Sequence, residues 1–257
     1  LPAPHVYKTV AIVLRHRKLG EADKILTLFT ANHGKLDAVA KGVRRPTSKL
    51  AGHVEPLTYT TFLLAQGREL DIVTQAETLE PLTPLRENLE RLGRGLYAAE
   101  LVDRLTPDRQ ESYPLFRLLL ETLRRLAACD DLDLALRYFE VQLLGELGYR
   151  PQLDRCVSCE GALEPTTNFW SAAAGGVLCP ACATDDPLAR ELSLGALKVL
   201  RLLQRSGFGD AARVRIAAGL AQELERHLRE YIRYVLERDL RSVAFLDTLR
   251  RQKAVRS

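Results

Sequence analysis

Hydrophobic and polar positions alternate with a period of two through the first 80 residues, then change to a helical period. Val6, Lys8, Val10, Ile12 and Leu14 share one side of an extended segment, and Tyr7, Thr9, Ala11 and Val13 take the other. Ile25, Thr27 and Phe29 alternate with Leu26, Leu28 and Thr30, and the turn Asn32-His33-Gly34 separates them from Leu36, Ala38 and Ala40. Two further runs, residues 57–64 and 70–78, are parted by Gln66-Gly67-Arg68. Five short strands punctuated by Gly turns predict a small barrel. The long third connection, residues 42–49, is polar and basic. Five strands with such a connection fit an OB-fold, a barrel that often binds single-stranded nucleic acid.

From residue 83 the apolar spacing is helical. Thr83 as N-cap and Pro84 at the first helical position begin a helix with the stripe Leu85, Leu89, Leu92 and Leu96. Ser112 and Pro114 open a second, with Leu115, Leu119, Leu123 and Leu126. A third over about 133–147 carries Leu136, Phe139, Leu143 and Leu147 and is closed by Gly148. Ser193 caps a fourth, with Leu194, Leu197, Leu200 and Leu203, and a last long helix, with room for a break, covers about 213–248. Leucine stripes of this kind build bundle cores. The basic run at 250–256 is expected to be mobile. The reading is an α+β chain: an N-terminal five-stranded OB-fold barrel over 1–80, then an α-helical domain over 81–257 with an inserted four-cysteine zinc module at about 151–187.

Composition changes little in this picture. The chain has 257 residues, 46% hydrophobic and 27% charged, ordinary values for a globular protein. No apolar run approaches the ~18 residues of a membrane helix. The opening Leu-Pro-Ala-Pro lacks the features of a signal peptide, and five cysteines are too few for a disulfide-built scaffold, so a reducing cytoplasm is expected. Charge is more informative. Residues 1–54 hold ten Lys and Arg against Glu21, Asp23 and Asp37, whereas the remainder holds 27 basic and 30 acidic residues. Basic charge gathered in one segment fits either a polyanion partner or a solvated face.

The cysteines carry the sharpest signal. Cys156-Val-Ser-Cys159 and Cys179-Pro-Ala-Cys182 are two C-x2-C pairs 19 residues apart. Two residues between thiolates let one tight turn place both sulfurs on one metal, and two such turns complete a tetrahedron. Phe169-Trp170 and Gly175-Gly176 between them read as a small β-ribbon. One structural zinc is expected; four Cys ligands leave no open position for catalysis. A redox C-x-x-C is the competing reading, and it needs a strand-to-helix setting that this insertion lacks. Cys129 lies outside the array as a small buried or semi-buried residue.

Enzyme signatures are weak. There is no P-loop. Gly207-Phe-Gly209-Asp-Ala-Ala212 follows a helix and reads as a cap and loop. Asp130-Asp131-Leu132-Asp133 fits a helix N-terminus better than a cation loop. The five histidines have no metal-binding spacing. What remains is the basic segment: Arg15, Arg17 and Lys18 at the end of the first strand and its turn, Lys24, Lys35, and Lys41, Arg44, Arg45 and Lys49 around the long loop. A basic barrel face of this kind tracks a phosphate backbone without reading bases. Tyr7, Phe29 and Tyr59 are assigned to packing before stacking.

The stretch Leu19-Gly-Glu-Ala-Asp-Lys-Ile-Leu-Thr-Leu-Phe-Thr30, with Gly34-Lys35 and Ala40-Lys41-Gly42-Val43-Arg44-Arg45, resembles the N-terminal signature of the RecO family, bacterial mediators of the RecF repair pathway. The resemblance extends through the leucine-rich helices and the cysteine insertion. It implies a protein without enzymatic activity that binds single- and double-stranded DNA and promotes annealing. It further implies work with RecR, contact with the single-strand DNA-binding protein, and, indirectly, loading of RecA. The family's basic barrel surface falls on Arg15, Lys35, Lys41, Arg44, Arg45 and Lys49. Such a protein would reside in the cytoplasm, at the nucleoid. Two alternatives use the same features: an RNA-binding OB-fold protein, or a nucleic-acid-modifying enzyme that docks through a zinc ribbon.

Overall fold

The computed structural model describes residues 5–237 and 240–256. Residues 1–4, on which the leader reading rests, lie outside the described residues. The five expected strands are β1 (Val6–Leu19), β2 (Asp23–Thr30), β3 (Gly34–Ala40), β4 (Tyr59–Ala65) and β5 (Asp71–Glu80). They run in the order β1-β2-β3-β5-β4, and β1 pairs with both β2 and β4, which closes the sheet. This is the connectivity of the partly open OB barrel. The weak seam is the parallel pairing of β3 with β5, limited to Ala38↔Asp71 and Val39↔Ile72. The first strand is longer than its alternation implies. A bulge between Val13 and Arg15 lets it continue to Leu19, so Arg15, Arg17 and Lys18 are strand residues, not turn residues.

Ala11, Val13, Leu26, Leu28, Leu36, Ala38, Phe62 and Leu64 fill the interior, with Val43 and Val54 folded in from the long loop. The other face of β1 and β2 is also buried. Ile12 and Phe29, cross-strand partners, are fully covered, and the Phe29 ring lies 6.3 Å from that of Phe116. Strands covered on both faces read as near-continuous apolar runs, which explains the 26–29 stretch Leu-Thr-Leu-Phe.

The covering layer consists of α1 (Thr83–Glu87), α2 (Leu89–Leu105), α3 (Tyr113–Ala128) and α9 (Arg241–Arg256). The expected single helix from residue 83 is two. Asn88 adopts an extended conformation, and its side chain accepts hydrogen bonds from the Glu90 and Arg91 amides, so a new helix starts there. Leu89 is consequently 60% exposed and not part of a buried stripe. The buried positions of α2 include Gly93, Gly95, Ala98, Leu101 and Val102. A Cβ at Gly93 would lie 2.9 Å from Leu246 of α9, and one at Gly95 would lie 2.8 Å from Leu57, so glycine permits close approach on both sides.

Between α2 and α3 the chain plugs the open part of the barrel. The Arg109 amide donates to the Lys35 carbonyl at 2.7 Å, and Lys35 and Asp108 form a parallel bridge on the β3 edge that β5 leaves uncovered. Gly34 permits this: its φ is 63°, and a Cβ there would lie 2.2 Å from the Gln110 carbonyl oxygen. Asp71, fully buried at the seam, accepts from the Tyr7 hydroxyl and from Arg109 at 3.1 Å. Burial and then the adjacent Asp71 carboxylate push the Tyr7 phenol up to about 12.

A second compact unit, residues 130–239, follows the first, which comprises residues 1–129 and 240–257. The boundary expected at 80/81 thus marks the end of the barrel strands, while the first compact unit continues through α3 and takes in α9. The second unit contains α4 (Leu132–Glu146), β6 (Asn168–Ser171), β7 (Gly176–Leu178), α5 (Pro180–Ala183), β8 (Arg190–Leu192), α6 (Leu194–Arg205), α7 (Phe208–Ala211) and α8 (Ala218–Leu236). Asp131 and Ser193 cap α4 and α6 by accepting from the Leu134 and Ala196 amides. Phe139, Leu143, Leu197, Leu200, Leu224 and Leu228 are buried as their helical spacing requires. The expected last helix is interrupted after Leu236, where Glu237 takes φ 55°, and the basic run at 250–256 falls in α9 with residues 250–252 exposed. Among the described residues no helix is long and apolar enough to cross a membrane.

Lys35 holds the plug and α2 together. Its ammonium donates to the Asp103 and Thr106 carbonyls at 2.5 and 2.8 Å, and the carboxylates of Asp103 and Asp108 lie 3.5 and 3.3 Å away. Lys35→Ala should therefore lower unfolding stability by about 1.5–3 kcal/mol. Lys41→Ala, at an exposed position, should stay within about 0.5 kcal/mol of wild type. Equal urea midpoints for the two variants would contradict this assignment.

Candidate metal centre and nucleic-acid interface

The metal centre is built from two knuckles on a small sheet of order β7-β6-β8. In the first, the Glu160 amide donates to the Cys156 carbonyl at 3.0 Å, and Glu160 takes φ 58° to complete the turn. In the second, Cys179 directly follows β7 and caps the one-turn helix α5, with Cys182 within it, a strand-to-helix setting that the sequence did not lead us to expect. The β6–β7 hairpin between the knuckles turns at Gly175, φ 79°. All four sulfurs lie within 4.8 Å of one another, and those of Cys159 and Cys179 are 3.9 Å apart. A tetrahedral metal with sulfurs at about 2.3 Å would hold them about 3.8 Å apart, so the cluster fits a structural ion.

The thiols differ in their electrostatic surroundings. Burial opposes ionisation of Cys156, but hydrogen bonds from the backbone at Cys159, Cys179 and Ser158 outweigh it and bring the thiol down to about 6. Cys182 receives a favourable hydrogen bond from Ser158, yet the neighbouring sulfurs of Cys179 and Cys159 push it up to about 12. A bound cation would oppose that repulsion and favour the thiolate form of all four. Beneath the knuckles, Trp170 is buried with its ring 5.5 Å from Tyr231 and 5.8 Å from His227, both on α8. The module is thereby packed onto the helices of its own unit.

The basic residues fall into two groups. Along the side of the barrel they are matched with acids. Arg15 Nε lies 2.7 Å from the Asp103 carboxylate, and Arg17 lies 3.9 Å from Asp37. Lys24 lies 3.2 Å from both Glu55 and His16. Lys35 occupies the α2 site described above. At the end of the barrel where β1 meets β2, and in the loop that leaves β3, Lys18, Lys41, Arg45 and Lys49 are exposed and form no ion pair among the described residues. The registers Lys18↔Lys24 and Lys24↔Ala40 place this end of three strands in one row, with Lys41 next in the chain. Arg44, at the same end, donates from its guanidinium to the carbonyls of Gly20 and Glu21 at 3.2 and 2.7 Å.

The aromatic side chains are structural as expected. Phe29 is in the core, Tyr7 is bound to Asp71, and Tyr59 lies 6.1 Å from Phe116. Sequence reasoning missed the acids that divide the basic residues: Asp103 and Asp108 come from the end of α2 and its following loop. It also missed Asp23, which accepts from the Gly42 amide at 2.7 Å. No local signal marks these acids as partners of the barrel. Gly207-Phe-Gly209 follows helix α6 and not a strand, so the dinucleotide setting is absent, and Gly207 begins the short helix α7 where a helix C-cap and loop were expected.

A family model described as Recombination protein O N terminal matches residues 5–82, and one described as Recombination protein O C terminal matches residues 86–244. The chain is 47% identical over 245 residues to a DNA repair protein RecO from Roseiflexus sp., covering 95% of this chain and 86% of that protein. It is 44% identical over 242 residues to a protein of the same name from Pelotomaculum thermopropionicum, covering 94% of each. With that of Dehalococcoides mccartyi the identity is 39% over 247 residues, covering 96% of this chain and 97% of the relative.

Trp170 is the single tryptophan, so its emission reports on the metal module and its seat against α8. Cys156→Ser should lose bound metal, shift tryptophan emission to the red and lower the thermal midpoint. A strong chelator should do the same to the wild type. Metal analysis and fluorescence check this; unchanged metal content in the variant would contradict the four-thiol assignment.

Proposed function

We propose, because the chain belongs to the RecO family of DNA repair proteins, that it is a recombination mediator without chemistry of its own. It binds single- and double-stranded DNA through the basic loop end of the barrel and promotes annealing of complementary strands. With RecR it assists loading of RecA onto single strands coated by the single-strand DNA-binding protein, in the cytoplasm at the nucleoid. Residues 1–80 are the DNA-binding domain; residues 81–257 are the helical domain, with the zinc module at about 151–187.

The observation that carries this reading is the set of exposed cations Lys18, Lys41, Arg45 and Lys49, free of ion-pair partners among the described residues. Cations that face solvent without a protein counter-charge release condensed counterions when they meet phosphates, and this drives affinity without base readout. Neutralised phosphates also repel a complementary strand less, which is what annealing requires. Arg15 and Arg17, with side chains 50% and 56% exposed, add a weaker attraction because Asp103 and Asp37 already oppose them. Lys24 is a lesser contributor for the same reason, and Lys35 belongs to the fold.

Zinc is the metal assigned to Cys156, Cys159, Cys179 and Cys182, since four thiolates in a tetrahedron suit it and close its coordination sphere. It supplies folding energy to a segment too small to build a core, and no step of the reaction passes through it.

The Lys41, Arg45 and Lys49 triple alanine variant should bind a labelled oligothymidylate more weakly and anneal complementary strands more slowly. Its plot of log affinity against log salt should be shallower by about 2, because each neutralised phosphate on a single strand contributes about 0.7 to the slope. An unchanged slope would move the DNA surface elsewhere on the molecule. Competition by a matched RNA strand as effective as DNA would favour the RNA-binding reading.

A further inference from the structure

Two loops distant in sequence are fastened to each other at the basic end of the barrel. One is the β1–β2 turn, residues 20–22; the other is the loop that leaves β3, residues 41–50. The Asp23 carboxylate accepts from the Gly42 amide at 2.7 Å, and the Ala22 carbonyl accepts from the Arg44 amide at 2.9 Å. The Arg44 guanidinium donates to the carbonyls of Gly20 and Glu21. Between these attachments, Val43 is buried in the barrel core, so the loop is also anchored from below.

The fastening has an electrostatic purpose. Lys18 on β1 and Lys41, Arg45 and Lys49 on the loop repel one another, which opposes close approach of the loop to this end of β1. A DNA strand that had to gather spread loops would bind more weakly by the entropy of ordering them. Three main-chain carbonyl contacts and one carboxylate contact hold the loops without using any of these four cations.

We infer that Asp23 and Arg44 are positioning residues that hold the Lys41, Arg45 and Lys49 loop against the β1–β2 turn in its DNA-binding conformation. Asp23, although acidic, thereby favours binding of a polyanion. This rests on the reading of the barrel end as the DNA surface.

The sign of the effect separates positioning from charge. Asp23→Asn keeps a side-chain oxygen for the Gly42 amide and removes a negative charge; Asp23→Ala removes both. The probe is a labelled oligothymidylate at several salt concentrations, with hydrogen exchange followed at the Gly42 and Arg44 amides. Asp23→Asn should bind more tightly than wild type. Asp23→Ala should bind about three- to tenfold more weakly than wild type, with faster exchange at both amides. Its salt slope should be unchanged, since the same phosphates are neutralised. If both variants bind more tightly by the same factor, Asp23 acts by charge alone and the inference is overturned. Should Asp23→Ala fail to fold, the wild-type exchange pattern decides: Gly42 and Arg44 amides should be protected well beyond those of Thr47 and Lys49, and equal rates overturn the inference. Failure of the surface reading is visible separately, as unchanged affinity in the Lys41, Arg45 and Lys49 variant.

Discussion

The Lys35 ammonium sits at the C-terminal end of α2, where carbonyls without helical partners and the negative end of the helix dipole converge. Its backbone belongs to β3, and its carbonyl receives the Arg109 amide of the plug. A single residue thus ties a barrel strand, a helix end and the connecting segment to one another. Asp103 extends the node by pairing with Arg15 on β1. The same node determines electrostatics at longer range. It engages two barrel cations, while Lys41, Arg45 and Lys49 lie beyond the other end of β3, in the loop that follows it.

Much of this was legible in the sequence. The strands follow their alternation, and Ser112, Asp131 and Ser193 mark helix starts because short polar side chains satisfy free amides there. The cysteine spacing alone specified a four-sulfur cluster, since two-residue knuckles have little choice of geometry. The stripe drawn through Leu89 failed for a physical reason. The helix α2 is packed on several sides, with glycines at its closest contacts, so its apolar residues carry no single-face period. Asn88, a strong cap, was the available signal for its start.

The division of the basic residues was not legible. Arg15, Lys35 and Arg44 look like Lys41 and Arg45 in sequence, and what distinguishes them is the set of acceptors facing each one. Those acceptors are carboxylates and carbonyls some 70 residues away in the case of Lys35, or main-chain groups of a neighbouring turn in the case of Arg44. The metal module has the reverse character. Its ligands were obvious, but its third strand, β8, and the seat of Trp170 against α8 depend on contacts made by residues well outside the cysteine pairs.

The central claim is that DNA meets the loop end of the barrel and not its side. The most direct test is residue-resolved hydrogen exchange of the full chain, free and bound to an oligothymidylate. Binding should slow exchange at the amides of residues 18–21, 45 and 47–49, while those of residues 35–37, 103–106, 108 and 109 stay as they were. Slowing confined to the second set would contradict the account, because it would place the DNA on residues whose charges the fold already engages.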